Sequence, residues 1–192
     1  DADELMFPDI TQEISQLLRT PDIKQYAGFF VRGGYIWDGQ QLKHGLKNNK
    51  IVLLHKHRME YPIINDLGCK IMGEIEGHYQ PIPKDQKYKI GQLKTKIDHY
   101  AFVDMDDWTK RHQKYAAWEA FMITNKAYPI DPSYRRQCCK NLFRKLPFRG
   151  IIAFLHSYIL KMGIIDGVAG WNFAKTRYEY YKLVRNQLHK SL

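Results

Sequence analysis

The chain opens on a helical pattern. Between Pro8 and Leu18, the apolar residues Ile10, Ile14, Leu17 and Leu18 recur every three or four positions among polar ones. That interval places them on one helix face, and Asp9 or Thr11 can cap the start. The pattern changes at Tyr26. Tyr26 to Trp37 reads YAGFFVRGGYIW and predicts a strand, punctuated by Gly33-Gly34. Ile51 to His55 (IVLLH) predicts a short strand, and Lys70 to Glu76 another that runs into Gly77. Ile97-Asp98-His99 ends a further extended piece. From Asp104 the period is helical again, with Trp108, Arg111, Tyr115, Trp118 and Met122 on one face. Asp106 and Asp107 stand near its N-terminus, where carboxylates suit the helix dipole. Pro129 and Pro132 stop it.

The last third has a different texture. Ile151 to Ile165 (IIAFLHSYILKMGII) is apolar but interrupted by His156 and Lys161. It is too short and too polar to span a bilayer. Ile151, Leu155, Tyr158, Met162 and Ile165 keep helical spacing, with Arg149 and His156 on another face; Pro147 can open this helix and Gly163 end it. A second pattern places Trp171, Phe173, Tyr178, Tyr181 and Leu183 among Lys175, Arg177, Lys182 and Arg185. Apolar faces flanked by bases suit a helix pair at a membrane interface. The same pattern also describes a helical hairpin packed on the rest of the fold.

Charge sharpens this division. The net charge of +10 lies wholly in residues 134–192, which hold 12 basic and 2 acidic side chains; residues 1–133 hold 18 of each. We therefore divide the chain into a mixed α/β part, 1–133, and a basic amphipathic helical tail, 134–192. Such an asymmetry points to an anionic partner, either lipid headgroups or nucleic acid. Composition narrows the class further. Aromatic residues at 14% exclude disorder over the whole length. Three cysteines, two of them the adjacent Cys138 and Cys139, make neither a disulfide framework nor a zinc spacing. They fit reduced thiols in the cytoplasm.

Several residues can carry chemistry. Asp1 and Asp3 are two positions apart, so an extended backbone points both to one side. Hard oxygen donors in that arrangement suit Mg²⁺ or Mn²⁺; an acidic cluster is also an ordinary solvated segment. Glu74 and Glu76 alternate with apolar residues in KIMGEIEGHYQP, where apolar neighbours would raise a carboxyl pKa as a general base needs. An exposed edge strand with two solvated glutamates reads the same way. His78 and Gln80 follow with further hydrogen-bonding groups. His99 closes an extended piece after Asp98. Arg111, His112 and Tyr115 lie on one helical stretch, either facing a diphosphate or forming a wet surface. No Gly-rich phosphate loop and no nucleic-acid-binding motif is visible.

Four blocks, in order, resemble the family 2 glycosyltransferases of the GT-A fold, closest to bacterial enzymes of lipopolysaccharide and other surface polysaccharide. They are Asp1-Ala-Asp3-Glu4 as a DxD-type motif; GEIEGHYQP (Gly73 to Pro81); Ile90 to Ala120, with a late histidine and an RHxxYxxWE helix; and Leu146 to Ala174, with F-x-x-x-Y and G-x-x-D-G. The resemblance implies the C-terminal part of a Rossmann-like nucleotide-diphospho-sugar transferase domain, followed by a helical segment. It implies inverting, metal-dependent transfer of a sugar from a nucleotide-diphosphate donor to an acceptor hydroxyl. The acceptor would be lipid-linked or a saccharide. The metal would be Mg²⁺ or Mn²⁺ held by Asp1 and Asp3, with His99 near it. Glu76 would be the base, with Glu74 as the alternate, and His78, Gln80, Arg111, His112 and Tyr115 would bind substrate. The enzyme would sit in the cytoplasm, peripheral on the inner face of the membrane, without nucleic acid. In this family the nucleotide-binding elements precede the DxD motif, so the chain is expected to be the rear portion of a longer enzyme and to need the front portion for robust activity. The alternative is a non-catalytic basic module that binds anionic membrane or nucleic acid.

Overall fold

A computed structural model describes residues 4–37, 39–46, 48–63, 67, 80–100, 104–128, 130, 131 and 133–190. The architecture is mixed α/β, with a sheet that is part parallel and part antiparallel. The chain forms two compact units. The first gathers the described residues of 1–43, 47–63 and 77–102; the second gathers those of 44–46, 64–76 and 103–192. The change in charge at residue 133 falls inside the second unit.

The first unit is a sheet with one helix on a face. Its strands are β1 (Glu4–Leu5), β2 (Tyr26–Trp37), β3 (Gln40–Gln41), β4 (Asn48–Leu54), β5 (Met59–Glu60), β6 (Ile82–Pro83) and β7 (Lys89–His99). β2 runs parallel to β7 and antiparallel to β4 and β3, and β1 runs antiparallel to β7 on its far edge. An Asp-Gly pair joins β2 to β3, and Gly39 takes φ +74°, which glycine adopts without a side-chain clash. Helix α1 (Pro8–Leu18) covers the sheet. Its Ile10 joins Phe29, Val31, Leu93 and Ile97 in the core, with Ile14 and Leu17 beside them. Burying a side chain of that size is worth about 1.5–3 kcal/mol, so the apolar stripe read from the sequence is what seats the helix.

One irregularity ties α1 to the sheet chemically. Phe30 pairs with Gln92 but Arg32 pairs with Lys96, so one residue of β2 stands opposite three of β7. The bulge turns the N–H groups of Lys94 and Thr95 away from the ladder. The Glu13 carboxylate accepts both, at 2.7 and 2.9 Å. Burial alone would raise the Glu13 pKa, but these hydrogen bonds outweigh it and hold the carboxyl below its usual range.

The second unit is helical. It contains α2 (Met105–Thr124), α3 (Tyr134–Lys145), α4 (Arg149–Leu155) and α5 (Gly167–Lys190). Asp104 caps α2, its carboxylate accepting the Asp107 N–H at 2.8 Å. Trp108, Trp118 and Met122 are buried on α2, as their spacing predicts. α3 has no buried residue and carries the exposed free thiols of Cys138 and Cys139.

The apolar segment after Pro147 differs from its expected form. α4 is only seven residues long, and a π-helical turn, His156–Leu160, follows it. There the Lys161 N–H reaches back five residues to the His156 carbonyl, at 2.9 Å. Inserting one residue into a turn rotates everything after it. The face packed inward carries Arg149, Ala153 and Ser157, while Ile151, Leu155, Met162 and Ile165 are exposed. The apolar positions at helical spacing are therefore the outer face. The G-x-x-D-G pattern builds the corner that follows. Met162 and Gly167 both take φ +61°, and a Cβ on Gly170 would overlap the Gly163 carbonyl oxygen. Asp166 clips the extended segment 44–46: its carboxylate accepts the His44 N–H at 2.8 Å and meets His44 Nδ1 at 3.1 Å.

The expected strand Ile51–His55 matches the second half of β4, which starts earlier and ends at Leu54, and the extended piece ending at His99 is the end of β7. The expected strand Lys70–Glu76 lies outside the described residues.

Candidate functional site

The sequence-predicted residues fall into three groups. Asp1, Asp3, Glu74, Glu76 and His78 lie outside the described residues. Gln80 and His99 belong to the first unit, and Arg111, His112 and Tyr115 to the second.

In the first unit, β1 brings the start of the chain to the end of β7. Glu4 is the register partner of His99, and Leu5 that of Asp98. The Glu4 side chain is 4% exposed. Its carboxylate forms an ion pair with the Lys50 ammonium at 2.8 Å and lies 3.4 Å from His99 Nδ1. Lys50 arrives from β4, and the Tyr35 ring of β2 packs edge-on against His99, with centroids 5.2 Å apart. Four strands thus meet at one acid, one histidine and one ammonium. Asp98 accepts from Gln41 Nε2 at 2.6 Å. Gln80 has a structural task as well, since its side-chain oxygen accepts the Ile51 N–H of β4 at 2.8 Å.

Glu4, Lys50 and Tyr35 were not singled out from the sequence. Glu4 carried one signal, an acidic residue continuing the Asp-Ala-Asp run into a strand. Lys50 and Tyr35 carried none, because only strand pairing brings them there.

In the second unit, Arg111 Nη2 donates to Asp107 Oδ2 at 2.8 Å, one helical turn back. His112 stacks on the Trp108 ring at 4.1 Å and packs edge-on against Tyr115 and Tyr180. Its Nδ1 donates to the Trp108 carbonyl at 2.8 Å, since a carbonyl can only accept. Burial, helped by the Arg177 and Arg111 charges, lowers its pKa to about 4 against that backbone hydrogen bond. At neutral pH His112 is an uncharged packing residue and adds no positive charge to its helix.

That shift has a consequence for stability. Above pH 6.5 the ring is neutral in both folded and unfolded chains and contributes no pH dependence. Between pH 6.5 and about 4 the unfolded chain takes up a proton that the folded one refuses. Stability therefore falls through this window, by about 3 kcal/mol from the two pKa values. Urea titrations at pH 7 and pH 4.5 on the wild type and on His112→Phe check this. The variant should lose most of the difference, and an equal loss in both proteins would refute the assignment.

A buried polar triad lies in the same unit. The Arg149 guanidinium donates to Glu119 Oε1 at 3.1 Å, and the Tyr180 hydroxyl donates to Glu119 Oε2 at 2.6 Å. Burial, with the Glu119 charge beside it, pushes the Tyr180 pKa well up, so the hydroxyl keeps its proton. Glu119 had a readable signal: a carboxylate among Trp118, Ala120 and Met122 sits on an apolar stretch that only a buried partner tolerates.

A divalent ion asks for several hard donors. Among the described residues no group of three His, Cys, Asp or Glu side chains is placed to hold one. The Glu4 carboxylate is met by the Lys50 ammonium. Asp1 and Asp3, the carboxylates that the sequence motif offers to a metal, lie outside the described residues. Comparison of the chain with protein-family models, with curated proteins and with solved structures finds no match.

Proposed function

We propose that this protein is a glycosyltransferase of GT-A type, acting in polysaccharide or glycolipid synthesis. It moves a sugar from a nucleotide-diphosphate donor to an acceptor hydroxyl. The observation that supports this most is the pairing of Glu4, the residue after Asp3, with His99 across 95 positions of sequence. Glu4 follows the DxD-type motif directly in sequence, and the resemblance implies a metal site with the late histidine near it. Mixed α/β topology is compatible with that reading.

The chemistry divides among the chain's own residues. Glu76 takes the proton of the acceptor hydroxyl as its oxygen attacks the anomeric carbon. The bond from that carbon to the diphosphate breaks, and the nucleoside diphosphate leaves with the electron pair. A single displacement inverts the anomeric centre. Negative charge grows on the leaving group, and a fixed cation such as Arg111 is more valuable there than in water. Asp1 and Asp3 would hold a divalent ion, which when bound would supply positive charge near the leaving group.

The test is nucleoside diphosphate release from a panel of nucleotide sugars, using the product of the complete open reading frame. Release should require Mg²⁺ or Mn²⁺, stop with chelator, and fall at least about 100-fold in Asp3→Ala. Full release in the presence of chelator would remove the metal from the reading. A second reading, a basic module without catalysis, is favoured by one observation, the basic cleft between α4 and α5 described next. Absence of release across the whole panel would favour it.

A further inference from the structure

The seam between α4 and α5 is lined by none of the residues assigned to sugar transfer. A cleft of about 570 Å³ opens there, and Arg144, Arg149, Lys182, Arg185 and His189 line it. No carboxylate is among its lining residues. Glu119 partners Arg149, and Glu179 stands 3.5 Å from Lys182. Arg144 lies 3.6 Å over the Tyr128 ring. Among the described residues neither Arg144 nor Arg185 has a carboxylate partner.

A second slot of about 310 Å³ adjoins it, sharing Ile151 and Tyr178 as walls. Its wall is mostly aromatic, with Phe154, Trp171 and Tyr178 beside Ile151 and with Lys175 and Glu179 at its rim; the Phe154 and Trp171 rings pack edge-on with centroids 5.0 Å apart. Around it the outer face is apolar and open to solvent. Leu155, Ile159, Leu160, Ile165 and Val168 are all exposed, Val168 to 77%. An apolar patch of this kind, beside a cluster of bases, is costly in water and suits an anionic bilayer. Among the described residues no single helix is long and apolar enough to cross a membrane, and α4 with its π turn is bent by 75° from the segment that contains α5.

We propose that this seam docks on anionic phospholipid. The basic cleft takes the lipid phosphate, the aromatic slot takes the top of an acyl chain, and the exposed apolar residues enter the headgroup boundary. Charge complementarity selects this occupant. A neutral protein partner would leave Arg144 and Arg185 without counter-charge, and nucleic acid would leave the apolar face in water. The inference does not depend on sugar transfer, and its test involves no sugar.

The whole chain is pelleted with phosphatidylcholine vesicles, with and without phosphatidylglycerol. It should pellet only with phosphatidylglycerol. Lys182→Gln with Arg185→Gln, both at exposed positions, should weaken binding about thirtyfold. Ile159→Ser with Leu160→Ser should weaken it at high salt, where the charges are screened and the apolar term carries binding. An unchanged helical circular dichroism spectrum shows that the variants are folded. Equal pelleting of all variants would overturn the proposal. So would displacement from vesicles by millimolar inorganic phosphate, which would make this a site for free phosphate. Tighter binding to duplex DNA than to the vesicles, lost in the same basic variant, would replace the lipid with nucleic acid.

Discussion

Glu119→Ala should cost the helical unit about 3–5 kcal/mol, the range expected when one partner of a buried ion pair is removed. Arg149 and Glu119 are each under a tenth exposed, so the guanidinium left behind has neither counter-charge nor ready access to water. The Tyr180 hydroxyl loses its acceptor in the same change. Three helices meet at this carboxylate, since Glu119 lies on α2, Arg149 on α4 and Tyr180 on α5. The controls separate the terms. Tyr180→Phe removes one hydrogen bond to a charged group and should cost about 1.5–3 kcal/mol. Arg149→Met with Glu119→Leu removes both charges at similar volume, and should cost much less than the two single changes added. Urea unfolding followed by circular dichroism reads all of them. A loss below about 1 kcal/mol in Glu119→Ala would mean that water reaches the triad and that the unit does not depend on it.

Glu76→Gln should slow sugar transfer about 10²–10⁴-fold, the range that a positioned general base contributes. Glutamine keeps the size and the hydrogen-bonding oxygen but cannot take a proton, so donor binding should survive and kcat should fall. Glu74→Gln is the matched control. Both residues lie outside the described part, and their assignment rests on alternation with apolar residues and on the GEIEGHYQP block. Wild-type turnover in Glu76→Gln, with a loss in Glu74→Gln, would move the role to Glu74. Loss in neither would end the general-base assignment at this block. The shape of the pH profile adds a check: the acidic limb of kcat should report the base and vanish in the variant that lacks it.

Local order was readable wherever the signal is local. α1 follows from Ile10, Ile14 and Leu17, because a stripe at that interval is buried in any fold that covers it. β2 follows from twelve residues of strand-forming character, and α2 from its Asp104 cap and its tryptophans. α3 falls within the expected helical tail but was not marked out as an element of its own, because it buries nothing: a polar helix has no apolar stripe to betray its bounds. The site was half legible. His99 was named from its place at a strand end, and the structure sets it against Glu4. Lys50 and Tyr35 were invisible because they come from strands far away in sequence. His112 looked like a cation from its neighbours in sequence, yet Trp108 and Tyr180 enclose it and remove its charge.

By itself the sequence determined the helices and strands that carry periodic stripes, the basic excess of the last 59 residues and the acidic motif at the start. Each of these depends on residues within a turn or two of one another. Only the tertiary structure decided which surfaces would be covered. Period alone marks Ile151 and Leu155 as an apolar face; whether that face turns inward depends on what else competes for the interior. Here the small Ala153 and Ser157 allow close helix packing, the Arg149 charge finds Glu119 thirty residues away, and the larger apolar side chains remain outside. The Glu13 carboxylate likewise acquires its role from a bulge in β7, some eighty residues on. Such pairings reflect chain closure and competition for buried volume, and no local spacing encodes either.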